Sequence, residues 1–293
     1  MSEHPEPSRT DTTARLALYG PDQKGLVARV ADFVWRLGGD IVHADQHTDE
    51  QAETFLQRVE FRLEGLSVDR TQLRYRFARL AVDLNMSWRL NFSDEMRRVA
   101  LMVSRQGHCL YDLLARWSAG ELPCEMVVVI SNWPDQAGAA GHFGLPYLHL
   151  PVTAENRESQ EGAVLEALAA YRVDLVVLAR YMQVLGPRVI DPYRHRVINI
   201  HHSFLPAFAG GRPYAQAHAR GVKLIGATAH YATEDLDEGP IIDQDVTRVS
   251  HRDSVEDLTR KGRDLETVVL ARAVRAHLTD RILVYGTRTV VFD

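Results

Sequence analysis

Val99-Ala-Leu-Met-Val103 is apolar at every position, and so are Met126-Val-Val-Val-Ile130 and Leu175-Val-Val-Leu178. A strand with one wet face alternates apolar and polar residues. An unbroken apolar run belongs to a strand covered on both faces, as in a parallel sheet with helices above and below. Helical segments fall between these runs, over 109–117 and 158–171. The pattern predicts a doubly wound α/β domain with a mostly parallel sheet, whose ligands gather at the carboxyl ends of the strands.

Val197-Ile-Asn-Ile-His-His-Ser-Phe-Leu-Pro-Ala207 opens as another β-branched strand of this sheet. Asn199 and His201 are two residues apart, so they share a face. Paired at a strand end, they suit acyl chemistry: the amide donates to a developing oxyanion and the imidazole moves a proton near neutral pH. About thirty residues on, His230-Tyr-Ala-Thr-Glu-Asp-Leu-Asp237-Glu-Gly-Pro240 ends in a turn able to hold a carboxylate over that pair. A strand over 241–249 and a long helix follow, with Asp253 as its expected N-cap and Glu256 three residues later. Two short strands around Gly286 close the chain, and the whole of 95–293 reads as one domain.

Upstream the periodicity differs. A short strand over 15–20, a turn at Pro21-Asp-Gln-Lys-Gly25 and a helix with Leu26, Val30, Val34 and Leu37 on one face lead to Gly38-Gly39. Strands over 40–48 and 54–63, a helix over 69–82 and a strand over 87–92 follow. The order β-α-β-β-α-β predicts a ferredoxin-like domain over 14–94. Residues 1–13 are polar, with Pro5 and Pro7 and no basic start leading into an apolar stretch. They read as a disordered tail rather than a secretory signal.

Composition excludes several classes. At 293 residues the chain can bury a large core, and 45% hydrophobic with 25% charged residues is an ordinary globular profile. A net charge of −5 argues against a nucleic-acid partner. No apolar run is long enough to span a bilayer. Cys109 and Cys124 form no CxxC and no metal spacing, as expected of reduced thiols in a cytoplasmic protein. His201-His202 is a poor metal pair, because adjacent strand residues face opposite ways and no third ligand stands at suitable spacing.

The segments Asn199-Ile-His-His-Ser-Phe-Leu-Pro206, Gly210-Gly-Arg-Pro-Tyr214, Gly226-Ala-Thr-Ala-His230 and Asp237-Glu-Gly-Pro240, with Ala179-Arg-Tyr-Met-Gln-Val-Leu185, resemble the formyltransferase-fold folate enzymes. Among these the chain is most similar to the formyltetrahydrofolate deformylases, over about residue 14 to the end. Asp22-Gln-Lys-Gly-Leu26 and Gly39-Asp-Ile41 resemble the start of an ACT domain. The resemblance implies hydrolysis of 10-formyltetrahydrofolate to tetrahydrofolate and formate, which would supply purine synthesis and balance the one-carbon folate pool. It implies Asn199, His201 and Asp237 as the catalytic trio, with His230 and His202 in support. Folate contacts are expected at Met182, Gln183, Val184, Leu185, Thr233 and Leu236, and Arg212 either meets the glutamyl tail or faces solvent. An amino-acid effector would sit near Asp22, Gly25, Leu26, Asp40 and Ile41. No cofactor and no metal are expected, and a homo-oligomer (dimer, tetramer or hexamer) is.

Two departures and two rivals remain. Asp40 stands where many ACT domains have Asn, and Gln183 where the pterin pocket often has Arg. The phosphate-cradling Gly-Ser-Asn of transferases that use a glycinamide ribonucleotide is replaced by Ser104-Arg-Gln-Gly-His-Cys-Leu110. That favours water as acceptor over the alternative, a formyltransferase to an amine. A non-catalytic sensor would be expected to lack one of the trio.

Overall fold

The computed structural model describes residues 12–206 and 213–293. Residues up to Met96 together with Thr279–Asp293 form one compact unit, and Arg97–Leu278 form the other.

The first unit runs β1 (Thr13–Pro21), α1 (Leu26–Arg36), β2 (Ile41–Asp49), β3 (Thr54–Arg62), α2 (Arg70–Asp83) and β4 (Ser87–Phe92). The strands form an antiparallel sheet in the order β2-β3-β1-β4, the ferredoxin-like arrangement of an ACT-like module. Alternation along β1 sends Leu16 and Leu18 to one face, where they pack with Val59 and Phe61 of β3, Val30 and Val34 of α1, and Phe77 of α2. Asp69 caps α2 by accepting from Gln72 N at 2.8 Å. Gly38, at φ 81, ends α1 and brings Gly39 N back to Val34 O at 3.0 Å, a left-handed turn that favours glycine.

The other face of this sheet is covered by the closing hairpin, β12 (Ile282–Tyr285) and β13 (Arg288–Val291). Ala17 and Leu56 bury against Leu283 and Phe292. Arg58, almost wholly buried, donates to the Asp280 carbonyl at 3.1 Å, and Asn91 donates to the Asp280 carboxylate at 2.6 Å. This corrects the expectation that 95–293 is one domain. The hairpin's apolar residues are the cover that the outer face of β1 and β3 requires.

The second unit contains β5 (Arg97–Val103), α3 (His108–Ser118), β6 (Cys124–Ser131), α4 (Ala137–His142), β7 (Tyr147–His149), α5 (Arg157–Ala170), β8 (Leu175–Leu178), α6 (Pro187–Ile190), β9 (Val197–His201), α7 (Pro213–Arg220), β10 (Leu224–Tyr231), β11 (Ile241–Arg248) and α8 (Val255–Leu278). The sheet order is β11-β10-β9-β8-β5-β6-β7. Strands β7, β6, β5, β8 and β9 run parallel, and β10 and β11 are antiparallel additions. Ala100, Met102, Val176 and Leu178 face α5 and α6 in one core layer. Helices α3 and α8 pack together, with α8 lying along β9, β10 and β11. The chain moves outward from β5 to β7 and then returns to β8 on the other side of β5. The carboxyl ends of β5 and β8 therefore flank the switch point where such sheets open a crevice.

Helix α8 starts one residue later than expected. Ser254 caps it by accepting from Asp257 N at 3.1 Å while Asp257 accepts from Ser254 N at 3.0 Å, a reciprocal capping box. Asp253 instead accepts from Ser250 N and Lys261 Nζ. Among the described residues, no helix is long and apolar enough to cross a membrane.

Candidate active site

The carboxyl ends of β5, β6 and β8 are tied together before any catalytic group is placed. Ser104 N donates to Arg180 O, Ser104 Oγ donates to Asn132 Oδ1 at 2.7 Å, and Met182 N donates to Ser104 Oγ at 2.9 Å. The 182–185 segment is held further by Arg157 donating to Val184 O at 2.8 Å. Met182, Val184 and Leu236 are exposed apolar side chains on the rim of a cavity of about 490 Å³. A rim of this kind suits a flat apolar ligand.

Asn199 and His201 leave β9 toward this cavity, and β10 supplies their neighbour. The antiparallel register sets His230 directly opposite Asn199 and Thr228 opposite His201. Asp237 reaches in from the turn after β10, at φ 60, a left-handed conformation that is costly for a residue with a side chain. Its carboxylate lies 3.0 Å from His201 Nδ1 and 3.5 Å from His230 Nε2. Hydrogen bonds from His201 and then His230 outweigh burial and hold the Asp237 carboxyl well below the usual carboxylate range.

The tautomers follow from the partners. His201 Nδ1–H donates to Asp237, so Nε2, 2.8 Å from Ser203 Oγ, accepts from that hydroxyl when the ring is neutral. His230 Nδ1 is 3.1 Å from Tyr231 O and carries a proton there, so Nε2 accepts from Asn199 Nδ2 at 3.2 Å when the ring is neutral and donates to Asp237 only as the imidazolium. The second amide hydrogen of Asn199 remains for the cavity that the residue lines. The His202 ring stacks on His201 at 4.9 Å, and burial, Arg180 and His201 push its pKa down to about 4. At neutral pH His202 is an uncharged imidazole.

The expected residues Met182, Gln183, Val184, Leu185, Thr233 and Leu236 line the same cavity as Asn199, His201, His202, His230 and Asp237. Arg212 lies outside the described residues. In the first unit, Gly25 precedes α1 at φ 87, Asp40 pairs with Arg62, and Leu26 is buried in the core. Asp22 is exposed and Ile41 opens β2.

Sequence reading missed a group on the α3–α7–α8 side. Glu266 of α8, 1% exposed, accepts from Tyr214 at 2.7 Å and sits 2.6 Å from His108 Nε2. Burial raises the Glu266 carboxyl, yet the hydrogen bond from His108 and the charge of Arg180 hold it below its ordinary value. Arg180 Nε lies 3.5 Å from Glu266 Oε2, and Nη2 donates to Gln106 Oε1 at 3.1 Å. A signal was present: Leu258, Gly262, Glu266, Val269 and Ala273 form one buried stripe, in which a glycine and a carboxylate are out of place.

His108, Cys109 and Glu266 also bring metal-ligating atoms together. The Glu266 oxygens already serve His108 and Tyr214, and burial and the Glu266 charge drive the Cys109 thiol well above its ordinary pKa. The group is a filled hydrogen-bond cluster, not an open donor set.

The formyl transferase family model matches residues 97–274. A formyltetrahydrofolate deformylase from Synechocystis sp. is 56% identical over 96% of this chain and 98% of its own length. The crystal structure of a formyltetrahydrofolate deformylase from Pseudomonas syringae pv. tomato superposes with a TM-score of 0.94 at 49% identity, covering 96% of this chain and 95% of that one. A glycinamide ribonucleotide transformylase from Symbiobacterium toebii matches with a TM-score of 0.66 at 35% identity, over 70% of this chain and 98% of that one. Likeness running through both units, at this identity and coverage, means that the chain belongs to the formyltetrahydrofolate deformylase family.

Proposed function

We propose that the chain hydrolyses 10-formyltetrahydrofolate to tetrahydrofolate and formate, with Asn199, His201 and Asp237 as its catalytic groups. The observation that carries the reading is the single cavity shared by this hydrogen-bonded trio and the apolar 182–185 and 233–236 segments. The pterin ring lies against those segments, which brings the formyl group to the trio. Asn199 donates its spare amide hydrogen to the formyl oxygen as water adds to the carbon, and such a donor is worth about 10²–10³ in rate. Asp237, ionised at any physiological pH, accepts from His201 Nδ1–H and so fixes the tautomer with Nε2 as the base. His201 takes the water proton at Nε2 and returns it to N10 as the C–N10 bond breaks. Ser203 and His230 are positioning residues, the first at His201 Nε2 and the second at Asn199.

The ACT-like unit supports regulation by a small effector, in the region of Asp22, Gly25, Asp40 and Ile41. The β2 edge of its sheet is largely exposed, which supports pairing of chains into a homo-oligomer. Formate released by the reaction would feed one-carbon acceptors such as purine precursors.

The test is formate and tetrahydrofolate release from 10-formyltetrahydrofolate in buffer without amines, alongside Asp237→Asn. Stoichiometric formate from the wild type and a loss of at least about 10²-fold in kcat for the variant are expected. Substrate left intact until an amine is added would replace this reading with a formyltransferase.

A further inference from the structure

The fold alone does not choose the acceptor of the formyl group. The Symbiobacterium toebii protein that shares the fold is a transformylase. Resting on the hydrolase reading above, the acceptor question falls on the cavity wall opposite the apolar segments. If those segments hold the pterin, an attacking nucleophile approaches past the rest of the lining, where Gln106, Arg180, Tyr214 of α7 and Glu266 of α8 stand. We propose that Arg180 is the specificity-determining residue of that wall, reserving the formyl carbon for water and excluding amines.

Three observations support the assignment. First, Arg180 has φ 65, a conformation suited to glycine, so the chain accepts backbone strain to place a guanidinium here. Second, the side chain is 9% exposed, lines the cavity, and is fixed there by Glu266 Oε2, 3.5 Å from Nε, and Gln106 Oε1, 3.1 Å from Nη2. A guanidinium fixed in a cavity wall sets a positive field for whatever approaches it. Third, the carboxylate beside it is taken. Glu266 accepts from His108 and Tyr214, and its charge is offset by Arg180 at 3.5 Å.

An amine acceptor arrives largely as an ammonium ion. It must find an anion to bind and a base to deprotonate it before its lone pair can attack. Arg180 withdraws the anion by pairing with Glu266 and repels the cation directly. His202, stacked against His201, is a weak base because burial and Arg180 depress its basicity. Water meets neither obstacle. It is neutral, so a guanidinium does not repel it and no anion is needed to bind it.

Replacing Arg180 with glycine relieves the φ strain, removes the cation and leaves the Glu266 charge without its guanidinium, which favours an ammonium ion in the cavity. Transfer then balances simply: the amine nitrogen bonds to the formyl carbon, the C–N10 bond breaks, and the amine proton passes to N10. The experiment supplies 10-formyltetrahydrofolate with and without glycinamide to the full-length wild type, Arg180→Gly, Arg180→Gln and Arg180→Lys. Formate and N-formylglycinamide are both quantified, and folding is checked by circular dichroism. Arg180→Gly, or Arg180→Gln if the glycine variant misfolds, should raise the ratio of N-formylglycinamide to formate at least tenfold. Arg180→Lys, which keeps the cation, should hold the wild-type ratio. A folded, charge-lacking variant whose ratio matches the wild type overturns the proposal. So does a folded variant that makes neither product, since Arg180 would then serve hydrolysis itself. A wild type that releases no formate fails the hydrolase reading first.

Discussion

His202 shows how much of this site is set by environment rather than by residue type. Its ring is held neutral by burial, by Arg180 and by the His201 face it stacks on, against smaller opposing contributions from Glu266 and Asp237. In the unfolded chain it takes up a proton near pH 6.5, whereas in the folded chain it does so only near pH 4. Between those values the unfolded state binds more protons, so stability falls as pH drops through that window. The full effect is about 3 kcal/mol, from about 1.4 kcal/mol per pKa unit. His202→Gln should therefore flatten the stability profile between pH 6.5 and 4. Urea unfolding at pH 7 and pH 4.5 checks it: equal losses of stability on acidification in variant and wild type would mean that the ring is not held neutral. The trio was legible from residue spacing because Asn-x-His on a strand and a turn carboxylate are local patterns. The tautomers were not, since they depend on Ser203, Tyr231 O and the register that sets His230 opposite Asn199.

Among the elements, the unbroken apolar runs at β5, β6 and β8 gave themselves away because burial on both faces leaves no polar position. Strand β10 was harder to see. Its Gly226 has no side chain because β11 and Phe204 crowd it, and a Cβ there would come within 2.7 Å of Asp245 O. Helix α8 hid its functional stripe in a similar way. Val255 and Val268 are apolar yet exposed, while Gly262 and Glu266 are buried. Gly262 makes room for Tyr214, since a Cβ there would meet the Tyr214 hydroxyl oxygen at 2.0 Å. In an open helix interior Gly→Ala is stabilising by about 1 kcal/mol. Here Gly262→Ala should instead destabilise by about 1–3 kcal/mol, because Tyr214 must leave its bond to a buried carboxylate. In a Tyr214→Ala background the same change should turn stabilising. Denaturant unfolding of the four proteins in this cycle decides it, and additive effects would show that Tyr214 swings aside without cost.

At the scale of the whole molecule, the boundary between the two units is not a single cut in the chain. The β-α-β-β-α-β order was legible because each element carries its own periodicity. The destination of the last strands was not, since nothing local tells which sheet a terminal hairpin will cover. The structure groups it with the first unit, where Leu283 and Phe292 bury Ala17 and Leu56 and the Asp280 carbonyl accepts from the buried Arg58 guanidinium. A fragment starting near residue 95 and running to residue 293 carries this hairpin without its partner, exposing Ile282, Leu283 and Phe292, which the longer chain buries. A fragment of 97–278 ends where the second unit's own contacts end. The shorter fragment should be the more soluble and the less prone to aggregate, since it presents no orphaned apolar strands. The complementary cut, residues 12–278, uncovers Ala17 and Leu56 and removes the Thr279 and Asp280 carbonyls that accept from Arg58, leaving that guanidinium only its pair with Glu60. Its first unit should melt below that of the full chain. Light scattering of the two catalytic fragments and thermal unfolding of the truncated chain test the assignment together. If 95–293 stayed monodisperse while 97–278 aggregated, the hairpin would belong functionally to the catalytic unit after all.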